Sequence, residues 1–162
     1  MRNDILISVV MPNYNGHRVL SQTYQNFELL VVDDCSKDDS LWLIKQKAQS
    51  DSRIRIIALE KNVGVANARN VGIQEAKGRY ISLLDNDDLW TEDKLERQLA
   101  IAENGADIVY CSYDFIDEQN CLLAHLAVQL RFIHDFFDFL NPAGHRRKIN
   151  KMGAGAPGDN PG

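Results

Sequence analysis

Short apolar runs alternate with segments of helical periodicity between residue 5 and residue 113, and this alternation limits the possible folds more than any other feature. The runs are rich in β-branched residues and bounded by turn residues, as expected of buried strands. They are Ile5–Met11, Phe27–Val32, Ile54–Leu59, Tyr80–Leu84 and Asp107–Tyr113. Strands that alternate with helices form βαβ units. The sequence therefore predicts an α/β fold with a mainly parallel central sheet.

The intervening segments carry helix signals of their own. Ser36 and Asp39 have the spacing of a capping box before a helix that contains Leu41, Ile44, Lys45 and Ala48. A helix over Asn62–Gly78 has a stripe of small residues (Val65, Ala68, Gly72 and Ala76), and Gly78 is expected to end it. Thr91 is the expected cap of a helix that carries Leu95, Leu99 and Ala102.

The pattern weakens after residue 113. Cys121–Val128 could form another strand, and Arg131–Leu140 reads either as an amphipathic helix or as a partner surface. From Asn141 onward the chain is rich in glycine, proline, asparagine and basic residues, which cannot form a core. We therefore expect one domain over residues 1–140 and a disordered tail over residues 141–162.

Composition excludes several classes of protein. The 162 residues suffice for one domain, and the net charge of −5 without a basic stripe argues against a nucleic-acid partner. Cys35, Cys111 and Cys121 form no CxxC pair, which predicts reduced thiols, with Cys111 in the core of the fifth strand. No run has the length of a signal peptide or a membrane span. These features favour a cytoplasmic protein.

Three polar clusters follow predicted strands. PNYN (12–15) follows the first strand, DDCS (33–36) the second and DNDD (85–88) the fourth. In open parallel sheets, ligands bind outside the carboxyl ends of the strands, so we expect these clusters to share one edge. Clustered carboxylates need a cation, and magnesium typically takes one or two carboxylates together with substrate phosphates. Asp85 and Asp87 thus resemble half of a metal site that a diphosphate would complete, although DNDD could also be only a polar turn.

Individual residues of this edge have two interpretations each. One carboxylate of the Asp33–Asp34 pair can satisfy backbone donors, and the other can accept hydrogen bonds from a nucleobase or ribose; we assign Asp33 to structure and Asp34 to the ligand. Arg69 either lies on a solvated helix face or turns toward the nucleotide. Tyr14 either stacks on a base or plugs the top of the core. No GxGxxG motif follows a predicted strand, and the chain has no GxxxxGK[ST] or GxSxG motif.

At these residues the chain resembles the family 2 glycosyltransferases, which have the GT-A fold, a Rossmann-like three-layer sandwich. The matching segments are ISVVMPNYNG, QTYQNFELLVVDDCSKDDS, NVGVANARNVGIQEAKGRYISLLDNDDLW and EDKLERQL, within about residues 5–115. The resemblance implies transfer of a sugar from a nucleotide-diphosphate donor to a saccharide or lipid-linked acceptor, with inversion. It also implies a role in making cell-envelope polysaccharide, and contact with the membrane surface is compatible with it.

The resemblance also implies roles for single residues. DND matches the family's DxD motif, with Asp87 as the direct ligand of Mg²⁺ or Mn²⁺ and Asp85 beside it at the metal, the ribose or the diphosphate. Asp34 matches the position that reads the base. The donor pocket would further contain Pro12, Tyr14, Asn15 and Arg69.

The sequence departs from the family in two places. The stretch from Asn15 to Gln22 is about two helical turns shorter than usual. The acceptor-binding half and its carboxylate base cannot be matched, since Asp114, Asp117 and Glu118 come too early. The alternative is a non-catalytic module that keeps the donor site or uses Arg131–Leu140 as an interaction surface. A phosphoacceptor receiver would need a lysine at the end of strand five, where DIVYCSYDFID has none.

Overall fold

A five-stranded parallel sheet is the centre of the computed structural model, which describes residues 4–12, 17–85, 88–117, 121–126 and 148–150. In chain order the strands are β1 (Ile7–Pro12), β2 (Phe27–Asp33), β3 (Ile54–Ala58), β4 (Tyr80–Leu83), β5 (Tyr113–Ile116), β6 (Leu122–Leu126) and β7 (Lys148–Asn150). The sheet has the order β3-β2-β1-β4-β7, and each neighbouring pair in it is parallel. β5 and β6 form a separate antiparallel hairpin.

Three α-helices cover the two faces of the sheet: α1 (Ser40–Ser50), α2 (Val65–Glu75) and α3 (Lys94–Glu103). One hydrophobic cluster joins alternate residues of β1 and β2 to Ile44 of α1 and to Leu95, Leu99 and Ala102 of α3. The other cluster joins the intervening strand residues, such as Val10 and Leu30, to Ile73 and Ala76 at the end of α2. Alternate strand residues point to opposite faces of a sheet, so the fold has three layers and confirms the predicted architecture.

The stripe of small residues on α2 allows close packing on the sheet. Ala68 and Gly72 are buried against it, as predicted. A Cβ atom on Gly72 would lie only 2.4 Å from Cγ1 of Val10, so a larger residue does not fit there. The prediction for Val65 was wrong: it begins the helix and is 54% exposed, because it lies where the chain first approaches the sheet.

The predicted fifth strand of the sheet was wrong. Only Tyr110 within Asp107–Tyr113 makes an isolated bridge, and Cys111 is half-buried outside any strand. The edge of β4 is paired instead with β7, with Tyr80 opposite Lys148. Three residues of the predicted disordered tail thus form a strand, while 141–147 and 151–162 lie outside the described residues. The strand predicted within Cys121–Val128 is present as β6.

The predicted helix ends were also wrong. α1 begins at Ser40 with Asp39 at its N-cap, so Ser36 does not cap it. α3 begins at Lys94 with Asp93 at the N-cap position, two residues later than a cap at Thr91 requires. α2 ends at Glu75, before Gly78.

The side chain of Gln22 satisfies a backbone donor at the start of α3, a role that Thr91 was expected to have. The Gln22 side chain is buried, accepts a hydrogen bond from the Leu95 backbone N–H (3.0 Å) and donates one to the Thr91 carbonyl (2.7 Å). It follows a short 3₁₀ helix, His17–Ser21, which lies in the shortened stretch. A residue distant in sequence therefore satisfies a donor at the helix start.

A buried carboxylate, Glu28, links several strands near their amino ends through hydrogen bonds. Glu28 of β2 accepts hydrogen bonds from the Ser8 hydroxyl (2.6 Å), the Lys77 backbone N–H (2.7 Å) and the Arg55 guanidinium (2.7 Å). Burial raises the pKa of Glu28, but these hydrogen bonds outweigh it, so the pKa is lowered overall. The network connects β1, β2, β3 and the loop before β4.

Candidate functional site

The carboxyl ends of β1, β2 and β4 meet at one edge of the sheet. Pro12, the buried last residue of β1, lies opposite Val32 of β2, and Val10 lies opposite Leu83 of β4. The residues that follow β2 and β4, Asp34 and Asp85, therefore emerge at the same edge, as expected for parallel strands. Of the predicted site residues, Tyr14, Asn15 and Asp87 lie outside the described residues.

Arg69 and Asp85 form an ion pair at this edge. Nη2 of Arg69 donates a hydrogen bond to Oδ1 of Asp85, although the two residues are 16 positions apart. Their side chains are 29% and 45% exposed, so the pair is open to solvent and to a ligand. The fold thus turns Arg69 toward the residue that opens the acidic cluster after β4.

Asp34 holds the loop that leads into α2. Its Oδ1 accepts a hydrogen bond from the Val63 N–H (2.7 Å) and its Oδ2 accepts one from the Gly64 N–H (2.9 Å). Asn62 donates its side-chain amide to the Asp34 carbonyl (3.1 Å), and Gly64 has a φ of 83° that favours glycine. A carboxylate has about four acceptor positions, so Asp34 can still accept from a ligand. The sequence analysis missed this loop; the NVG triplet was its signal.

Asp33 retains an unused buried oxygen. The residue is 2% exposed, and its Oδ2 accepts a hydrogen bond from the Ser36 N–H at 3.3 Å. Its Oδ1 has no hydrogen-bond partner among the residues that the structure describes. A buried acceptor without a donor costs about 1–3 kcal/mol. Asp33 therefore has an unsatisfied buried oxygen at the end of β2, while both oxygens of Asp34 accept backbone hydrogen bonds.

The backbone between these carboxylates and the following helix is strained. Cys35 has a φ of 61°, in the left-handed region, which residues with a side chain rarely adopt. Strained residues of this kind persist where the surrounding structure holds them, and they concentrate at functional sites. Here the carboxylates of the two preceding residues, Asp33 and Asp34, both accept hydrogen bonds from backbone N–H groups.

A partly buried lysine, Lys94, follows the acidic turn after β4. The Asp88 N–H donates to the Asp85 carbonyl (3.2 Å) and closes the turn. Beyond it, Nζ of Lys94 lies 4.1 Å from the centroid of the buried Trp90 ring and 3.3 Å from Oε1 of Gln98. Burial lowers the pKa of Lys94 to about 8, and the nearby Asp88 carboxylate acts in the opposite direction. The sequence analysis missed Lys94, because its spacing shows only a helix start.

The depressed pKa of Lys94 predicts a rise in stability at alkaline pH. Between the folded value of about 8 and the ordinary value of 10.5, the unfolded chain binds the proton that the folded chain has released. The free energy of unfolding should therefore increase as pH rises from about 8 to about 10.5, by about 2–3 kcal/mol at most. Lys94→Met should lack this increase in urea unfolding at pH 7 and pH 10. Equal pH slopes in both proteins would contradict the prediction.

The oxygen ligands at this edge suit a hard divalent cation. Within the described part of the chain no three acidic, histidine or cysteine side chains cluster as a closed metal site. Asp85 provides one partly exposed carboxylate, and its DxD partner Asp87 falls outside that part. Magnesium usually keeps several waters and takes only one or two protein carboxylates, so this set fits such an ion.

A parallel sheet between two helical layers, with acidic side chains and an arginine at its carboxyl edge, defines a GT-A α/β domain. The family model for glycosyl transferase family 2 matches residues 8–148. The chain therefore belongs to this family.

Two curated relatives show the same kinship. The chain is 43% identical over 102 residues to "Putative teichuronic acid biosynthesis glycosyltransferase TuaG" of Bacillus subtilis, covering 58% of this chain and 40% of the relative. It is 38% identical over 136 residues to "UDP-Glc:alpha-D-GlcNAc-diphosphoundecaprenol beta-1,3-glucosyltransferase WfgD" of Escherichia coli, covering 78% and 53%. The chain thus spans about half the length of these relatives.

Solved structures share the fold. TarS 1-349 of S. aureus in complex with UDP-GlcNAc has a TM-score of 0.60 and 28% identity, over 67% of this chain and 35% of TarS. The mannosyltransferase PcManGT of Pyrobaculum calidifontis, solved with GDP-Man and Mn²⁺, has a TM-score of 0.59 and 20% identity, over 66% and 35%. The second likeness concerns the fold alone. In the part of the chain that the structure describes, no helix is long and apolar enough to cross a membrane.

Proposed function

We propose that this protein transfers a sugar from a nucleotide-diphosphate donor to a saccharide or lipid-linked acceptor, with inversion and with Mg²⁺ or Mn²⁺. The observation that carries the proposal is the meeting of Arg69, Asp85 and the Asp33–Asp34 pair at one sheet edge. The names of the relatives support it, since one names a UDP-sugar donor and a diphosphoundecaprenol acceptor. The teichuronic acid relative favours a role in cell-envelope polysaccharide.

Each residue of the edge has a distinct task in this proposal. Asp34 accepts hydrogen bonds from the base or ribose with the acceptor positions that the Val63 and Gly64 N–H groups leave free. Arg69 orients Asp85 and lies near the diphosphate. Asp87, with Asp85, would hold the metal, which when bound stabilises the charge of the leaving diphosphate. The donor pocket is completed by Pro12, Tyr14 and Asn15.

The location follows from the substrates. A nucleotide sugar and a cation are water-soluble, so we assign the reaction to the cytoplasm. A lipid-linked acceptor would place the enzyme at the membrane surface during transfer.

A second candidate is a donor-binding module without transfer activity. Arg131–Leu140, its predicted interaction surface, lies outside the described residues. The residues of this chain match no carboxylate base on the acceptor side. Asp114 and Asp117 do not fill this role, because both lie in or beside the exposed β5–β6 hairpin, where Asp114 pairs with His125 and Asp117 accepts from the Cys121 N–H.

Thermal unfolding tests the donor site. We expect UDP or GDP together with Mn²⁺ to raise the midpoint temperature by several degrees, because a ligand that binds only the folded state stabilises it. The shift should need both components and should be lost in Asp87→Ala. Asp93→Ala, which changes an acidic residue outside the edge, should keep it. A cooperative transition that no nucleotide moves would contradict the proposal.

Activity separates the two candidates. Once the thermal shift has identified the nucleotide, donor sugars that carry it can be incubated with Mn²⁺ and the protein. Metal-dependent release or transfer of sugar supports the enzyme, whereas a thermal shift without turnover supports the binding module.

A further inference from the structure

A short segment before β2 packs against the chain that follows the acidic turn. This 19–25 segment buries Val19 and Tyr24 in the same hydrophobic cluster as Trp90. Trp90 closely follows Asp88, the last aspartate of the turn. The core of the protein therefore joins the 19–25 segment to the chain that leaves the turn.

Gln22 of this segment holds the backbone on both sides of the start of α3. Its side chain is buried, and its Nε2 donates a hydrogen bond to the Thr91 carbonyl (2.7 Å), 69 positions away. Its Oε1 accepts a hydrogen bond from the Leu95 N–H (3.0 Å). A primary amide can donate and accept at the same time, so one side chain satisfies both groups. Gln22 therefore fixes the point where the chain from the acidic turn enters α3.

Further hydrogen bonds hold the 19–25 segment in place on either side of Gln22. Thr23 donates its backbone N–H to the Glu92 carbonyl (2.8 Å) and its hydroxyl to Oε2 of Glu96 (2.7 Å). On the other side, Nη2 of Arg53, just before β3, donates to the Leu20 carbonyl (3.2 Å). The segment is thus attached both to α3 and to the residue that precedes an edge strand, and it can act as a rigid support.

The acidic turn lies between two fixed points of the backbone. Before it, the Leu84 N–H donates to the Val10 carbonyl of β1 (3.0 Å), and after it, the Thr91 carbonyl accepts from Gln22. Residues 85–90 between these points include every aspartate of DNDD. A metal site needs ligands that are held in a set geometry, and loss of a group that orients them typically costs about 10–100-fold in metal affinity.

We propose that Gln22 is a positioning residue for the metal site, which acts by fixing the carboxyl end of the acidic turn at Thr91. This inference rests on the proposed function, in which Asp85 and Asp87 hold the cation. Because the Gln22 side chain is buried, it acts through the backbone at Thr91 and not on the donor itself. The stretch that is shorter than in the family thus ends at a residue that the metal site needs.

Titration calorimetry of the full chain tests the proposal with UDP or GDP, whichever the unaltered protein binds. The dissociation constant is measured with Mn²⁺ and again with EDTA in place of the metal. Gln22→Met removes both hydrogen bonds of the amide, and we expect it to raise the constant with Mn²⁺ by about tenfold or more. The constant with EDTA should change little, because the metal does not contribute to it. A general loosening of the domain would raise both constants alike.

Tyr24→Phe is the matched control within the same segment. Tyr24 is also buried, and its hydroxyl donates to the Ile5 carbonyl (2.6 Å), so the variant likewise loses a buried hydrogen bond. Ile5 precedes β1, at the amino end of the sheet, whereas the acidic turn follows the carboxyl end of β4. Tyr24→Phe should therefore be less stable in urea unfolding but should bind the nucleotide with Mn²⁺ as the unaltered protein does.

Hydrogen exchange of the unaltered protein gives a second test that does not depend on whether Gln22→Met folds. Coupling between two sites is reciprocal, so metal binding must stabilise the contact that supports it. The amides of Thr23 and Leu95 donate across this contact, and Mn²⁺ with the nucleotide should slow their exchange about tenfold relative to the nucleotide alone. The amide of Asn104, at the other end of α3, should exchange at an unchanged rate.

The outcomes separate this inference from the proposed function. If the unaltered protein binds no nucleotide with Mn²⁺, the proposed function is wrong and this inference with it. If it binds, three results overturn the inference alone: a normal Mn²⁺-dependent constant in Gln22→Met, equal weakening in Gln22→Met and Tyr24→Phe, or no slowing of exchange at Thr23 and Leu95.

Discussion

Replacing Gly78 with alanine is expected to destabilise the domain by about 3 kcal/mol. A Cβ atom on Gly78 would lie 2.5 Å from the backbone nitrogen of Ser8 and 2.8 Å from the carbonyl oxygen of Leu6. These are backbone atoms at the start of β1, the central strand that pairs with both β2 and β4, so they cannot rotate away. The Gly78 N–H also donates to the Ser8 hydroxyl (2.7 Å), and the shift that alanine requires would break this bond.

Urea unfolding checks the prediction, and Gly105→Ala is the matched control. Gly105 has a φ of 102°, but nothing lies within 4 Å of its Cβ position. Alanine there meets only backbone strain, so we expect a loss of about 1 kcal/mol. If Gly78→Ala were no less stable than Gly105→Ala, the close approach of the two backbone segments would not be a constraint.

Asp85→Asn is expected to raise the dissociation constant for a nucleoside diphosphate with Mn²⁺ by about 100-fold, or ~2.7 kcal/mol. Asparagine keeps the size of the side chain but removes the charge that attracts both Arg69 and a cation. Arg69→Met should weaken binding similarly, because it releases Asp85 and removes a positive charge near the diphosphate. If the two residues act together, the double variant should be only slightly worse than either single one.

Titration calorimetry measures these constants. Asp93→Asn is the matched control, because Asp93 also pairs with an arginine, Arg97, at 3.4 Å, but on the exposed side of α3. An exposed pair contributes less than about 1 kcal/mol, so this variant should bind normally. Fully additive effects of Asp85→Asn and Arg69→Met would show that the pair is only a surface contact.

The sequence predicted the positions of the strands and part of the close packing around β1. The apolar runs predicted β1 to β4 to within two residues at each end, because the strands of a parallel sheet covered on both faces are nearly continuous apolar runs. Gly72 was expected to pack closely and does so. Gly78 was taken for a helix end, since a glycine after a helical pattern indicates a cap, and only the fold shows which backbone it meets.

The prediction of a fifth strand at Asp107–Tyr113 was wrong for a different reason. Asp107–Tyr113 has the composition of a strand, but a strand forms only where a free edge can pair with it. The edge of β4 is paired with Lys148–Asn150, whose polar sequence gave no strand signal. The predicted start of α3 was wrong for a similar reason. Gln22, 73 residues from Leu95, accepts the hydrogen bond from the Leu95 N–H that a local cap was expected to accept.

The sequence by itself determined that this chain builds a parallel α/β sheet with acidic clusters at one edge, because strand periodicity and the carboxyl-end rule are local properties. Only the tertiary structure decided how the side chains of that edge are used. It pairs Arg69 with Asp85, binds Asp34 to the amides of Val63 and Gly64, and leaves an oxygen of Asp33 buried with no donor from the part of the chain that the structure describes. Adjacent aspartates look alike in sequence; they differ here because distant segments supply hydrogen-bond donors to one and not to the other.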